Sequence, residues 1–169
     1  MIRTSAKYLL AAATASALSL LWMAPASADP VTSSTTCTNP YTAAQAGPSS
    51  FDVGIPATAV VGTPVTVTVA FTFTNSSSYT IRDLNSFSQA IATTGTAQNP
   101  VTVTAGSQGA VPSGSSITVT ESGTWTPDQA GTATFTLGTF TFNSVVLGVT
   151  IPITCTFDST PAAVSSVVS

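Results

Sequence analysis

The side chains that could do acid–base or nucleophilic chemistry are few. The 169-residue chain has no histidine, three basic residues and six acidic ones. Without histidine there is no partner to activate a serine or a cysteine, so a Ser-His-Asp triad cannot be assembled. Zinc would need His or free Cys. What remains is carboxylate chemistry, and two carboxylates are enough for glycoside hydrolysis. The candidates are Asp52, Asp83, Glu121, Asp128 and Asp158. Each stands beside a predicted turn or strand end, where water solvates an acid. Asp158-Ser159-Thr160 puts Thr where the aspartic-protease motif needs Gly. No catalytic residue, cofactor or metal ligand is assigned, and a carboxylate-based hydrolase ranks last among the readings. Arg82-Asp83-Leu84-Asn85 sets two oxygen ligands close together, as calcium prefers. The D-x-D-x-D-G run is missing, so the expected arrangement is a turn with Asp83 paired to Arg82 or capping a local N–H. Asp83 is kept as a candidate binding residue.

The aromatic residues offer a second kind of chemistry, contact with a sugar or a protein. Trp125, Phe87, Phe140 and Phe142 fall on apolar parities and read as core. Tyr41 and Tyr79 lie in loop-like stretches, and these are the candidate surface contacts. The two cysteines, Cys37 and Cys155, sit in the strand-like runs TTCTN and ITCTF. In an exported chain such a pair forms one disulfide. Closing so long a loop contributes about 4–5 kcal/mol in the chain-entropy account.

Export is what the N-terminus predicts. Arg3 and Lys7 precede an apolar run from Leu9 to Met23, and Ala26-Ser27-Ala28 forms an A-x-A cleavage site. Residues 1–28 read as a cleaved signal peptide and 29–158 as a single domain. The run is shorter than the ~20 residues of a membrane span, so the mature chain is expected to be secreted, without membrane insertion. Cleavage removes two of the three basic residues. Arg82 then stands alone against six acids, a formal net charge of −5. Such a surface cannot neutralise phosphates, which excludes nucleic acid as a partner.

The elements that must position these residues are strands. In PVTVTVAFTFTN (64–75), Val65, Val67, Val69, Phe71 and Phe73 alternate with Thr66, Thr68, Thr72 and Thr74, the pattern of a half-buried strand. The same Thr habit recurs in VTVTA, ITVTESGTWT and TATFTLGTFTF, so the threonines read as an outer face that meets water with hydroxyls, on every strand. Residues 29–36 read as a flexible lead with a short strand around Cys37, then a turn-rich link to Ser50. Residues 51–60 fit a short strand pair or a broken edge strand. Residues 79–92 fit a strand or a single helical turn. Glu121 and Gly123 interrupt an apolar parity, which predicts a bulge or an exposed end. The phase slips at Gly138-Thr139, which predicts a glycine bulge or a tight hairpin. Residues 144–157 read as one strand, with Pro152 marking it as partly an edge, and 159–169 as a frayed tail. Asn75-Ser76-Ser77 is formally a glycosylation sequon. Seven to nine short strands without a helix predict an all-β, two-sheet antiparallel sandwich.

TPDQAGTATF (126–135) resembles the corner before the penultimate strand of immunoglobulin-like domains, with Asp128, Ala130, Gly131 and Phe135 in similar places. The tyrosine of the usual corner is missing, and Thr132 or Ala133 holds its place. Taken whole, STTCTNP, IPATAVVGTPVTVTV and VTIPITCTFD resemble a group of secreted actinobacterial immunoglobulin-like domains of unknown function. The resemblance covers most of 37–158 and implies a fold and a compartment, with no catalytic residues. The expected function is a secreted, non-catalytic binding module whose partner is an extracellular protein or polysaccharide. The second expectation is a self-associating component of a coat or matrix.

Overall fold

The computed structural model describes residues 25–27, 31–96, 98–161 and 163–169. These form eleven strands and no helix: β1 (Pro25–Ser27), β2 (Val31–Asn39), β3 (Thr42–Pro56), β4 (Thr58–Ala59), β5 (Val65–Thr74), β6 (Asp83–Gly95), β7 (Val101–Ala105), β8 (Ser116–Trp125), β9 (Gly131–Val146), β10 (Val149–Phe157) and β11 (Val164–Val168). The all-β class is as expected, with more strands than the seven to nine predicted. Hydrogen-bonded neighbours run β10-β2-β3-β5-β8-β7-β6-β9, and β9 pairs back to β10. The two layers of the sandwich are therefore one continuous sheet, joined at both sides. All pairings are antiparallel except β11 with β4.

Side-chain alternation builds this arrangement. On β5, Val67, Val69 and Phe71 are buried while Thr66, Thr72 and Thr74 are exposed. Phe71 reaches across the interior to Phe140 of β9, with ring centroids 5.4 Å apart, and Trp125 of β8 meets Phe135 of β9 edge-on at 4.8 Å. These rings fill the space between layers. Outside, Thr68, Ser122, Thr104, Ser88, Thr141, Thr154 and Thr38 follow one another in register across neighbouring strands. The hydroxyls thus run across seven neighbouring strands, from β5 round to β2, and do not gather on one face. Cross-strand pairs such as Thr74–Ser116, at 2.9 Å, add to the ladder.

Several local expectations are corrected. Residues 31–36 and 42–50, read as a lead and a link, are strands: β2 and β3 form a long hairpin around the Pro40-Tyr41 turn, in register from Val31↔Phe51 to Asn39↔Thr42. Their small and polar residues mask a strand whose energy comes from pairing. Within 79–92 the strand β6 begins at Asp83, just after Ile81, which bridges Val111. The slip at Gly138-Thr139 is a bulge on β9, since Gln89 pairs Phe140 while Ile91 pairs Leu137. A Cβ on Gly138 would lie 2.7 Å from the Ala90 carbonyl, so only glycine fits that approach. The Gln89 amide, fully buried, donates to the Gly138 carbonyl at 3.1 Å.

No bulge occurs at Glu121. β8 pairs β5 through ten unbroken steps, Val65↔Trp125 to Thr74↔Ser116. A register held by so many neighbours carries Glu121 into the core, because one residue of slip would turn every side chain over. Residues 144–157 are two strands, divided by a Leu147-Gly148 turn with both φ values positive. Pro152 pairs only with Asn143 of β9, since β2 joins β10 from Thr154 onward, which is the half-edge position expected. The segment 159–169, expected to fray, carries β11. Its Val168 is buried, it pairs with Gly131–Phe135 of β9, and Ser169 is tied to Ala59 and Val61 by the backbone. Alternating small residues gave little sign of this strand, whose worth lies in covering Ala133 and Ala59.

Cys37 and Cys155 form the disulfide, with sulfurs 2.02 Å apart. They face each other on β2 and β10, and Cys155 is fully buried. The bond stitches the seam where the first long strand meets the C-terminal part of the sheet.

Candidate functional site

The β2–β3 hairpin departs from β5 beyond Phe51↔Phe71. Past that point no strand among the described residues fills the space between β3 and β5, and the interior opens. The result is a cleft of about 430 Å3 at one end of the sandwich, within the usual range of small-molecule sites. Its walls are Phe71 and Phe73 of β5, Phe140, Phe142 and Val146 of β9, Ile151 and Ile153 of β10, and the disulfide. Phe73, Val146 and Ile153 face inward yet remain only partly buried. This end of the core is apolar and unfinished.

Among the described residues no charged one lines the cleft. Its polar groups are mostly engaged. The Asn75 amide donates to the Tyr79 and Val111 carbonyls at 2.8 and 2.9 Å, and its oxygen accepts from Ser77. Asn75 is 1 % exposed, so folding turns the sequon into an internal brace for the loop. Asn39 closes the β2–β3 turn by accepting from the Tyr41 and Thr42 amides. Ser144, buried on β9, makes no side-chain hydrogen bond among the described residues.

Four turns lie at this end of the sandwich, 40–41, 75–82, 106–115 and 147–148, and the second supplies Asn75, Ser76, Ser77 and Ile81 to the lining. On three of them or beside them stand four of the exposed large apolar residues, Tyr41, Tyr79, Leu147 and Val149. The two tyrosines picked out in the sequence are 67 % and 57 % exposed, and the backbone of each is hydrogen-bonded to a lining residue, Tyr41 to Asn39 and Tyr79 to Asn75. Asp83 belongs to this end too. It accepts hydrogen bonds from Ser107 Oγ at 2.6 Å, Asn85 Nδ2 at 2.7 Å and the Gly109 amide at 3.1 Å. The Ser107 and Asn85 bonds hold its carboxyl below the usual carboxylate range. It caps a loop and does not pair with Arg82. Arg82 is exposed, and its guanidinium has no ion-pair or hydrogen-bond partner among the described residues. Its backbone donates to the Val145 carbonyl at 2.7 Å, beside Val146 of the cleft.

The carboxylates are not drawn together. Asp52 pairs with Ala70 on the outside, whereas Glu121 pairs with Val69 on the inside. Asp158 is tied to the Ser34 and Thr36 hydroxyls at 2.5 and 2.6 Å, which lowers its pKa. Among the described residues no three His, Cys, Asp or Glu side chains come within reach of one metal ion. Glu121 is fully buried with neither oxygen hydrogen-bonded, and burial pushes its pKa up to about 7.

Sequence reasoning missed the cleft. Its phenylalanines are legible as core, and they are core; that the β2–β3 hairpin leaves them partly uncovered is a property of strand pairing. Leu147-Gly148 carried one readable signal, a glycine between apolar runs, which a two-residue hairpin explains. The chain matches no family model, and no curated protein and no solved structure is significantly similar to it.

Proposed function

We propose that the protein is an exported, non-catalytic binding module that works through the cleft at the Tyr41–Tyr79 end. The observation that carries this reading is the unfinished core: inward-facing Phe73, Val146 and Ile153 stay partly exposed beneath a rim of exposed Tyr41, Tyr79 and Leu147. Exposed apolar surface in a concave setting marks a contact site. The export signal, the resemblance to secreted actinobacterial immunoglobulin-like domains and the disulfide support an extracellular place of action. Tyr41 and Tyr79 serve as contact residues, and Asp83 holds the 106–115 loop in place. The partner is an extracellular molecule or macromolecule, with a net-negative protein surface disfavouring nucleic acid.

The test is differential capture. Immobilised mature chain and a Val146→Trp variant, which fills the mouth, are exposed to culture fluid and cell-surface extract of the source cells. A species retained by the native chain and lost by the filled variant supports the reading; equal retention by both refutes it. A self-associating coat component remains the alternative, favoured by the edge of β3 over 42–50 toward β5, which no strand among the described residues pairs. Light scattering separates the two, since concentration-dependent oligomers would support the coat.

A further inference from the structure

We infer that the cleft takes a single-chain amphiphile, with its apolar tail among the phenylalanines and its anionic head at the mouth beside Arg82. This rests on the binding-module reading above and names the class of ligand. Three observations converge on it. Phe71, Phe73, Phe142 and Ile153 give the cleft apolar walls, the other lining residues being mostly Thr, Ser, Asn and Gln, and no charged residue lines it among the described residues. A macromolecular sugar would need a line of open hydrogen-bonding groups there, and the lining Asn39, Gln45, Asn75 and Ser77 are engaged within the protein, with Ser144 a buried hydroxyl that makes no side-chain hydrogen bond among the described residues.

The volume, about 430 Å3, lies toward the lower end of the range of small-ligand sites. That is room for one chain of moderate length and not for a folded partner. Burying each methylene from water is favourable, so affinity must climb with chain length until the cleft is full.

The charge at the mouth supplies the polarity of the head. Arg82 is the single basic residue beyond the export segment, and it sits one residue from Ile81, which lines the cleft. The nearest acid, Asp83, has its carboxylate occupied by Ser107, Asn85 and Gly109. Among the described residues the guanidinium has no partner, in a protein otherwise poor in cations. A guanidinium suits a carboxylate or phosphate head. A cationic head would meet repulsion there instead.

Decanoate, butanoate and decyltrimethylammonium, each below its critical micelle concentration, are titrated calorimetrically into the mature chain. Decanoate should bind one to one, butanoate at least 100-fold more weakly, and decyltrimethylammonium more weakly than decanoate. Arg82→Gln lies on the exposed rim and should weaken decanoate about two- to five-fold, the scale of an exposed ion pair. Val146→Trp should abolish binding. Because that variant could misfold, amide shift mapping on the native chain gives a second reading: shifts should gather at Phe73, Ser144 and Ile153. No decanoate binding, shifts elsewhere, or equal binding of the ammonium compound would overturn the inference. If decanoate fails while capture from culture fluid still depends on Val146, the ligand class is wrong and the binding reading stands. If both fail, both fall.

Discussion

Glu121 should make this protein lose stability as pH rises from 5 to 8, against the usual trend. Its carboxyl is fully buried on the inner side of β8, with both oxygens unpartnered, and its pKa rises from 4.5 to about 7 through desolvation. Below pH 4.5 the group is protonated in folded and unfolded chains alike, and it imposes no penalty of ionisation. Between about 4.5 and 7 the unfolded chain gives up the proton while the folded one keeps it, so folding grows less favourable by about 1.4 kcal/mol per unit. Above 7 the loss is complete, at about 3 kcal/mol. With no histidine in the chain, no other side chain has its ordinary titration in that window. The α-amino group titrates near its top, and it cancels between variants. Urea unfolding at pH 5, 6, 7 and 8 should show the decline for the native protein and a flat profile for Glu121→Gln. Glu121→Met, which removes the polar atoms at similar length, should be the more stable protein at pH 8 by about 2–3 kcal/mol. A native slope that survives in Glu121→Gln would refute the assignment and mean that the carboxyl reaches water.

Four further outcomes are expected. Leu147→Asn should raise stability by about 1 kcal/mol in chemical denaturation, because Leu147 holds φ at 51° on an exposed turn where Asn is at ease. Replacing Cys37 and Cys155 together by serine should lower stability by up to about 4–5 kcal/mol, and the reductant-treated native chain should match the variant. Gln89→Leu should destabilise by about 1–3 kcal/mol, since the Gly138 carbonyl at the bulge would be left buried without its donor. Removing 164–169 should cost at least about 2 kcal/mol, the burial worth of Val168 alone, and lower the thermal midpoint.

The strand interiors were readable because the signal there is local. In β5, β7 and the first half of β9, alternation of large apolar residues with threonine sets both the conformation and the face, and the structure keeps each parity. The fate of Cys155 followed in the same way, from its place on the apolar side of ITCTF. The misreadings fall where the local signal is weak and pairing decides. TAAQAGPSS carries no alternation, yet it is half of the long β2–β3 hairpin. VSSVV resembles a loose end, yet it closes β9. Glu121 looked like a strand terminus because acids avoid cores, and only the ten-step register with β5 forces it inward.

The candidate site divides along the same line. Tyr41 and Tyr79 were legible as exposed, because loops flank them, and Asp83 as a loop-capping acid. That they share one mouth with Arg82, Leu147 and Ser144 depends on strand direction and on where β3 leaves β5, which are long-range facts. The sequence by itself determined an all-β chain with hydroxyl-faced strands, one cysteine pair and almost no titratable groups, since these follow from composition and a period of two. Tertiary structure alone decided that the sheet closes on itself, that an acid is trapped inside it, and that its core stays open at one end, since each of these depends on which strands meet and where they part.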